Sequence, residues 1–259
     1  MCGRYLITST PERMRRHFGY DDLPNFPPRY NIAPTQPVPV VVMAEGRRRF
    51  ALVRWGFVPS WAKDPRQFAQ LHNARADSVL EKPSFRNAIR RRRCLFMADG
   101  FYEWRTEPAG AGAGRGVRKT PYLVAMTSGE PMAMAGIWET WTGPDGEEID
   151  TAAIVTTEAN GTLSSIHHRM PVLIPPEAFA QWLDCGDGTA RDSARLMVPA
   201  PDEAVTAVPV SDAVNKAEND GPALTAPRPE EHPESEPAAK PVPVRSSRPG
   251  ADERQGSLF

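Results

Sequence analysis

Short apolar runs, each broken within a few residues by Gly, Pro, Asn or Asp, dominate this chain and confine it to strands and turns with few long helices. Val38 to Met43 is such a run, Gly46 marks a hairpin, and Arg49 to Arg54 returns. Cys94 to Ala98 reads as a buried strand, Asp99-Gly100 as a turn, and Phe101 to Trp104 as the strand that follows. Tyr122 to Ala125, Met132 to Trp138, Ala152 to Thr157 and Val205 to Val210 continue the series, with Pro144-Asp145-Gly146 as another turn. No strand-helix-strand rhythm interrupts it, so the predicted class is α+β: one domain over 2–226 on a curved, mostly antiparallel, barrel-like β-sheet with peripheral helices.

Helices are predicted where caps and breakers bracket an apolar face. Thr10 caps Pro11 to Phe18 and Gly19 stops it, Ser84 caps a short helix carrying Phe85 and Ile89, and Pro175-Pro176-Glu177 opens one through Leu183. Arg29 to Gln36 is too rich in turn formers for regular structure, and Pro108 to Gly116 reads as a flexible surface insertion. From Pro227 to Phe259 the composition turns to Pro, Glu, Lys, Arg and Ser, which cannot bury enough surface to offset ordering; this tail is predicted disordered. It ends in Gln255-Gly256-Ser257-Leu258-Phe259, which looks like a short peptide docking on the bacterial sliding clamp through Gln255, Leu258 and Phe259.

Three cysteines, Cys2, Cys94 and Cys185, make no disulfide framework, and there is neither a secretory signal nor a bilayer-length apolar stretch. A reducing, cytoplasmic and nucleoid-associated setting is expected, with the chain a monomer. Net charge is −1, but it is segregated: residues 1–105 hold 19 Lys and Arg against 9 Asp and Glu, whereas 106–226 hold 7 against 17. A basic half is the footprint of phosphate contact, although arginine runs also occur as solvated faces.

The chemistry is sharpest at the very start, Met1-Cys2-Gly3-Arg4. Removal of Met1 leaves an α-amine and a thiol on adjacent carbons of Cys2, a 1,2-aminothiol that traps aldehydes. With reference pKa values of roughly 8 and 8.5, both nucleophiles are accessible near neutrality. The amine forms an imine, the thiol adds to the imine carbon, and tethering on one residue removes most of the entropic cost of closing the thiazolidine.

Further candidates follow this nucleophile in sequence order. Trp61, after Pro59-Ser60, is the better wedge or stacking platform, whereas Trp55 and Phe57 read as core. Asn73 and Arg75 stand two apart in an extended segment and aim the same way. Glu103, flanked by Tyr102 and Trp104, is either an acid with a raised pKa in an apolar wall or an outward carboxylate paired with an arginine. His167 and Arg169 alternate onto one side of an extended segment, and adjacent His167 and His168 point to opposite faces. No Cys, His and Asp set has zinc spacing, so no metal or other cofactor is predicted.

Met-Cys-Gly-Arg-Tyr, Asn-Ile-Ala-Pro-Thr-Gln, Arg-Trp-Gly-Phe-Val-Pro-Ser-Trp-Ala, Asn-Ala-Arg-Ala-Asp, Asp-Gly-Phe-Tyr-Glu-Trp, Ala-Gly-Ile-Trp and His-His-Arg-Met-Pro occur in this order. Together they resemble the SRAP family, SOS-response-associated peptidases understood as abasic-site processing proteins, over about residues 2–225. The resemblance implies a thiazolidine crosslink between Cys2 and the ring-opened sugar of an abasic site in single-stranded DNA, which shields the site during replication. It also implies that Asn73 orients the sugar and imine, that Glu103 shuttles protons, and that His167 serves as acid and base in ring opening and reversal. Arg4, Arg75 and Arg169 are implied to hold phosphates, and Trp61 to lie against a base edge or block the duplex. Lyase activity is an expected accompaniment, and Met1 leaves either through an aminopeptidase, which small following residues favour, or through self-removal by the protein. His168 departs from the pattern, standing where relatives commonly carry an acid.

Two other classes fit parts of the sequence. An N-terminal-nucleophile glutaminase also begins Met-Cys-Gly, but the Arg-Gly-Pro-Asp and Asn-Gly-Glu segments of such domains are missing here. A non-enzymatic clamp adaptor would need only the tail, and a peptidase acting on other proteins is the weakest alternative.

Overall fold

The computed structural model describes residues 2–66, 71–108 and 116–228, and among these twelve strands and five short α-helices form. The tail beyond Arg228, with its Gln255, Leu258 and Phe259, and most of the Gly-rich insertion lie outside the described residues. β1 (Tyr5–Ile7) leads into α1 (Pro11–Phe18), where the Thr10 hydroxyl accepts the Arg13 N–H at 3.3 Å and Gly19, at φ 68°, ends the helix. β2 (Arg29–Ile32) corrects the prediction of an irregular segment: it pairs antiparallel with β1, Tyr5 opposite Ile32, so tertiary pairing overrides turn propensity. β3 (Pro37–Ala44) and β4 (Arg47–Trp55) join through Glu45 and Gly46, both at positive φ, as a two-residue hairpin requires.

β5 (Asn73–Arg75) is followed by turns and α2 (Ala88–Arg91). Asn87, not Ser84, precedes that helix, and no side chain caps it; successive turns from Lys82 to Ile89 carry the chain in instead. The chain continues as β6 (Arg93–Ala98), β7 (Gly100–Pro108), β8 (Val117–Met126), β9 (Met132–Thr142) and β10 (Glu148–Glu158). It ends with α3 (Gly161–Ser164), β11 (Arg169–Pro171), α4 (Phe179–Leu183), α5 (Thr189–Ala194) and β12 (Val205–Pro209). α3 and α5 were not anticipated: each is too short to carry a helical apolar period. No helix among the described residues is long and apolar enough to cross a membrane.

The strands make two sheets. In the larger, β10, β4, β3, β6 and β9 follow one another and β9 pairs back with β10, closing a ring in which the β10–β4 contact is parallel. Gly136 permits that closure, because a Cβ there would sit 2.6 Å from the Phe96 ring and 2.8 Å from Cys94 Sγ. β5 and β11 add to β10, parallel and antiparallel respectively. The second sheet runs β12-β8-β7-β1-β2, all antiparallel.

Aromatic side chains knit the two sheets together. Tyr5 of the second sheet meets Trp55 edge-on at 5.2 Å and Phe96 at 6.4 Å, all three fully buried. The Trp55 indole N–H donates to His72 O at 2.9 Å, and the same carbonyl accepts the Ile154 N–H at 3.1 Å. This core tryptophan therefore fixes where β5 begins, and with it Asn73.

Candidate active site

Cys2 enters the fold just ahead of β1 and is 0% exposed, its Sγ 4.0 Å from the Arg4 carbonyl. Burial pushes its thiol well above the ordinary range, and the neighbouring Glu103 carboxylate adds to the effect. This corrects the expectation of a ready thiolate population: the sulfur stays protonated until a base takes its proton.

Asn73 comes to Cys2 from β5 of the larger sheet. β5 lies parallel to β10 with Asn73 opposite Ile154, and the Asn73 Nδ2–H donates to the Cys2 carbonyl at 2.9 Å. Its Oδ1 is buried and has no hydrogen-bond partner among the described residues. A buried acceptor left open costs about 1–3 kcal/mol, so the position suits an incoming N–H or O–H.

Glu103 resolves its two readings inward. It lies on β7 opposite Tyr122 of β8 and is 2% exposed, and burial raises its carboxyl pKa. His167 Nδ1 stands 4.0 Å from Glu103 Oε1. Burial lowers the His167 pKa and favours neutral imidazole. Its Nδ1 lies 3.0 Å from the Arg169 backbone N and 3.1 Å from the Arg169 carbonyl oxygen, so either ring tautomer finds a partner there. His167 is not in an extended segment: its own N–H bonds to Leu163 O at 2.9 Å, so it closes the turn after α3. Nor do the two histidines diverge, since their rings stack with centroids 4.4 Å apart. The strand alternation used to separate them begins only at Arg169.

The predicted phosphate ligands fall into different settings. Arg4 Nη1 donates to Asn31 Oδ1 at 2.8 Å and Val214 O at 2.7 Å, and Nη2 to Asn215 O at 3.3 Å, so much of this guanidinium ties the chain start to the segment after β12. Arg75 is exposed and bound to Asp77, its Nη2 2.5 Å from Oδ2. Arg169 is buried on β11, where Thr156 takes its Nε and Nη2. Trp61 is 57% exposed, whereas Trp55 and Phe57 belong to the core.

A cleft of about 490 Å³ is lined by Glu103, Trp104, Thr106, Lys119, His167 and Asn215, so Glu103 and His167 are the predicted site residues that line it. Sequence reasoning gave Trp104 only as a flank of Glu103 and assigned no role to Thr106, Lys119 or Asn215. Thr106 and Lys119 meet only through the β7–β8 register, and the Trp104 indole donates to Asn215 Oδ1 at 2.7 Å across 111 residues of chain. Nothing local marks such partners. Among the described residues, no three His, Cys, Asp or Glu side chains gather as a metal site. The arrangement therefore combines a buried thiol, a carboxyl whose pKa burial raises, an imidazole whose pKa burial lowers and an open amide acceptor, with the carboxyl and imidazole lining a cleft.

Residues 1–217 match the family described as SOS response associated peptidase (SRAP). "Abasic site processing protein YoqW" of Bacillus subtilis is 34% identical over 228 residues, covering 86% of this chain and 98% of the relative. "Abasic site processing protein HMCES" of Gallus gallus is 31% identical over 271 residues, covering 88% and 78%. Among solved structures, a protein from Bacteroides thetaiotaomicron superposes with a TM-score of 0.73 at 24% identity, over 88% of this chain and 100% of that one. A phage-related protein from Bordetella bronchiseptica gives a TM-score of 0.65 at 27% identity, over 82% and 95%.

Proposed function

Because the chain belongs to the SOS response associated peptidase (SRAP) family, and its relatives are named abasic site processing proteins, we propose that it captures abasic sites in single-stranded DNA. Capture is covalent, through a thiazolidine on Cys2 once Met1 is removed. The observation that carries this reading is the hydrogen bond from Asn73 to the Cys2 carbonyl at 2.9 Å, which fixes a chain terminus that would otherwise fray, beside a buried carboxyl and a neutral histidine.

Each residue then has a step in the reaction. The abasic deoxyribose opens when His167 relays the proton of its C1′ hydroxyl, leaving an aldehyde. The Cys2 amine adds to that carbon, and its N–H proton passes to the new oxygen to give a carbinolamine. Protonated Glu103 gives its proton to the hydroxyl, water leaves, and an iminium ion remains beside the Glu103 carboxylate. That carboxylate takes the proton of the Cys2 thiol as sulfur bonds to C1′, and the ring closes with nitrogen neutral and Glu103 protonated again. One water is lost overall. Asn73 Oδ1 accepts a hydrogen bond from the amine or a sugar hydroxyl during the sequence.

The raised thiol pKa suits this order, since sulfur is held back until the electrophile is formed. An imine that escaped closure would lead to strand cleavage, which is the lyase side of the same chemistry. A duplex would bury C1′, so a single strand is the fitting substrate.

The test is incubation with single-stranded DNA carrying one abasic site, followed by mass spectrometry of the N-terminal peptide. The expected peptide begins at Cys2 and carries the sugar fragment less one water, whereas Cys2→Ala forms no adduct and still binds undamaged single strands. A terminus that keeps Met1 and remains unmodified defeats the proposal.

A further inference from the structure

Asp77 sits between two guanidinium groups of very different rigidity. Arg75 Nε lies 3.2 and 3.1 Å from its two oxygens, and Nη2 is 2.5 Å from Oδ2. The same Oδ2 is 3.8 Å from Arg169 Nη1. Arg169 needs no help from Asp77 to hold its place: Thr156 O and Oγ1 take its Nη2 at 2.5 and 3.1 Å, and Thr156 Oγ1 takes its Nε at 3.3 Å. Nη1 is the corner of this buried guanidinium turned toward the carboxylate. Arg75, by contrast, is 54% exposed and Asp77 51% exposed, so water reaches both partners of that pair.

An oxygen anion bridging one anchored and one exposed guanidinium is how a phosphodiester is held by two arginines. Resting on the function proposed above, we infer that the Asp77 carboxylate is a built-in competitor for a backbone phosphate. It occupies the anion seat between Arg75 and Arg169, and a DNA strand must displace it to engage both. The displacement is feasible because water and salt screen an exposed ion pair and leave it weak. It nevertheless discounts affinity for every strand equally, damaged or not, and so leaves long residence to the covalent step at Cys2. A carboxylate that merely oriented the arginines would do the opposite, strengthening DNA binding.

The experiment is fluorescence anisotropy of the full-length protein with a labelled, undamaged oligothymidine, at several salt concentrations. Asp77→Asn is expected to bind about twofold to fivefold tighter at low salt, the range to which a surface ion pair corresponds. The slope of log affinity against log salt should steepen by about 0.7 for each further phosphate that the freed arginines neutralise. Asp77→Ala should move the same way, which guards against an effect peculiar to asparagine or to folding of one variant. Arg75→Ala should cost more affinity in the Asp77→Asn background than in the wild type. Unchanged or weaker binding by both Asp77 variants, with the wild type still binding and forming its adduct, overturns the inference. A wild type that neither binds nor forms the adduct removes the underlying reading, and the inference falls with it.

Discussion

Glu103 and Asp77 are both carboxylates beside a basic side chain, and their surroundings make opposite acids of them. Glu103 is 2% exposed with His167 Nδ1 4.0 Å away, and burial raises its pKa. Asp77 is half-exposed, and the hydrogen bond from Arg75 lowers its pKa. At the buried pair, desolvation disfavours charge on the acid and the imidazole alike, raising the pKa of one and lowering that of the other. At the exposed pair, water tolerates both charges, leaving ions that another ion can exchange. On the function proposed above, reaction chemistry belongs to the first setting and strand capture to the second. Changes in the buried region should therefore alter the rate of adduct formation, and changes at the exposed rim should alter affinity.

Glu103→Gln gives the largest expected separation. Glutamine keeps the shape and removes the transferable proton, so adduct formation should slow by about 100-fold or more, the usual scale of a positioned general acid. Binding to undamaged strands should stay within about twofold, as for a substitution away from any DNA contact. Single-turnover adduct formation on denaturing gels reads the rate, and anisotropy reads the affinity. In the wild type the rate should also fall as pH rises through the Glu103 pKa, because dehydration of the carbinolamine needs the protonated carboxyl. Loss of that alkaline limb in the variant ties the effect to this group. A variant that lost affinity instead would erase the distinction between the two regions.

The same distinction explains what could be read from the sequence. Strands with local signals were legible: the β3–β4 hairpin through Glu45 and Gly46, the cap and stop of α1 at Thr10 and Gly19, and β6 to β10 from their apolar runs. β2 was not, because only its pairing with Tyr5 makes a strand of a turn-rich segment. Among the candidate residues, Cys2 and Glu103 stand out by position and flanking aromatics, and Asn73 and Arg75 by their spacing. The inward choice for Glu103, the stacking of His167 on His168 and the reach of Trp104 to Asn215 depend on contacts that no local pattern encodes. Asp77 was visible only as the last letter of a motif; its second guanidinium comes from 92 residues further along the chain.

Trp61 tests the rim with a smaller effect. At 57% exposure it contributes little to the core, so Trp61→Ala should leave the melting temperature nearly unchanged. If its indole stacks on a base, affinity for single strands should fall by about fivefold to 100-fold, the range of base stacking by alanine substitution. The rate of adduct formation at saturating DNA should not change. An unaltered affinity would remove Trp61 from the DNA surface.

Folding stability offers the finest test of the buried pair, because both of its shifts leave a signature with a definite sign. Glu103 keeps its proton in the folded protein at pH values where an unfolded glutamate, near roughly 4.3, has lost it. The folded state then binds more protons than the unfolded one, so this contribution is fully present below about pH 4.3 and is lost as pH rises toward the folded pKa. His167 acts in the other direction. Its folded pKa is lowered, so as pH falls below about 6.5 the unfolded chain takes up a proton first and stability declines. Chemical denaturation of the wild type and Glu103→Gln from mildly acidic to mildly alkaline pH isolates the first effect. The stability of the variant relative to the wild type should grow with pH by at most about 1.4 kcal/mol per unit and level off above the Glu103 pKa. Two parallel curves would mean that the buried carboxyl is already ionised in the folded protein. It could not then deliver the proton that expels water, and the buried pair would differ from Asp77 and its arginines in exposure alone.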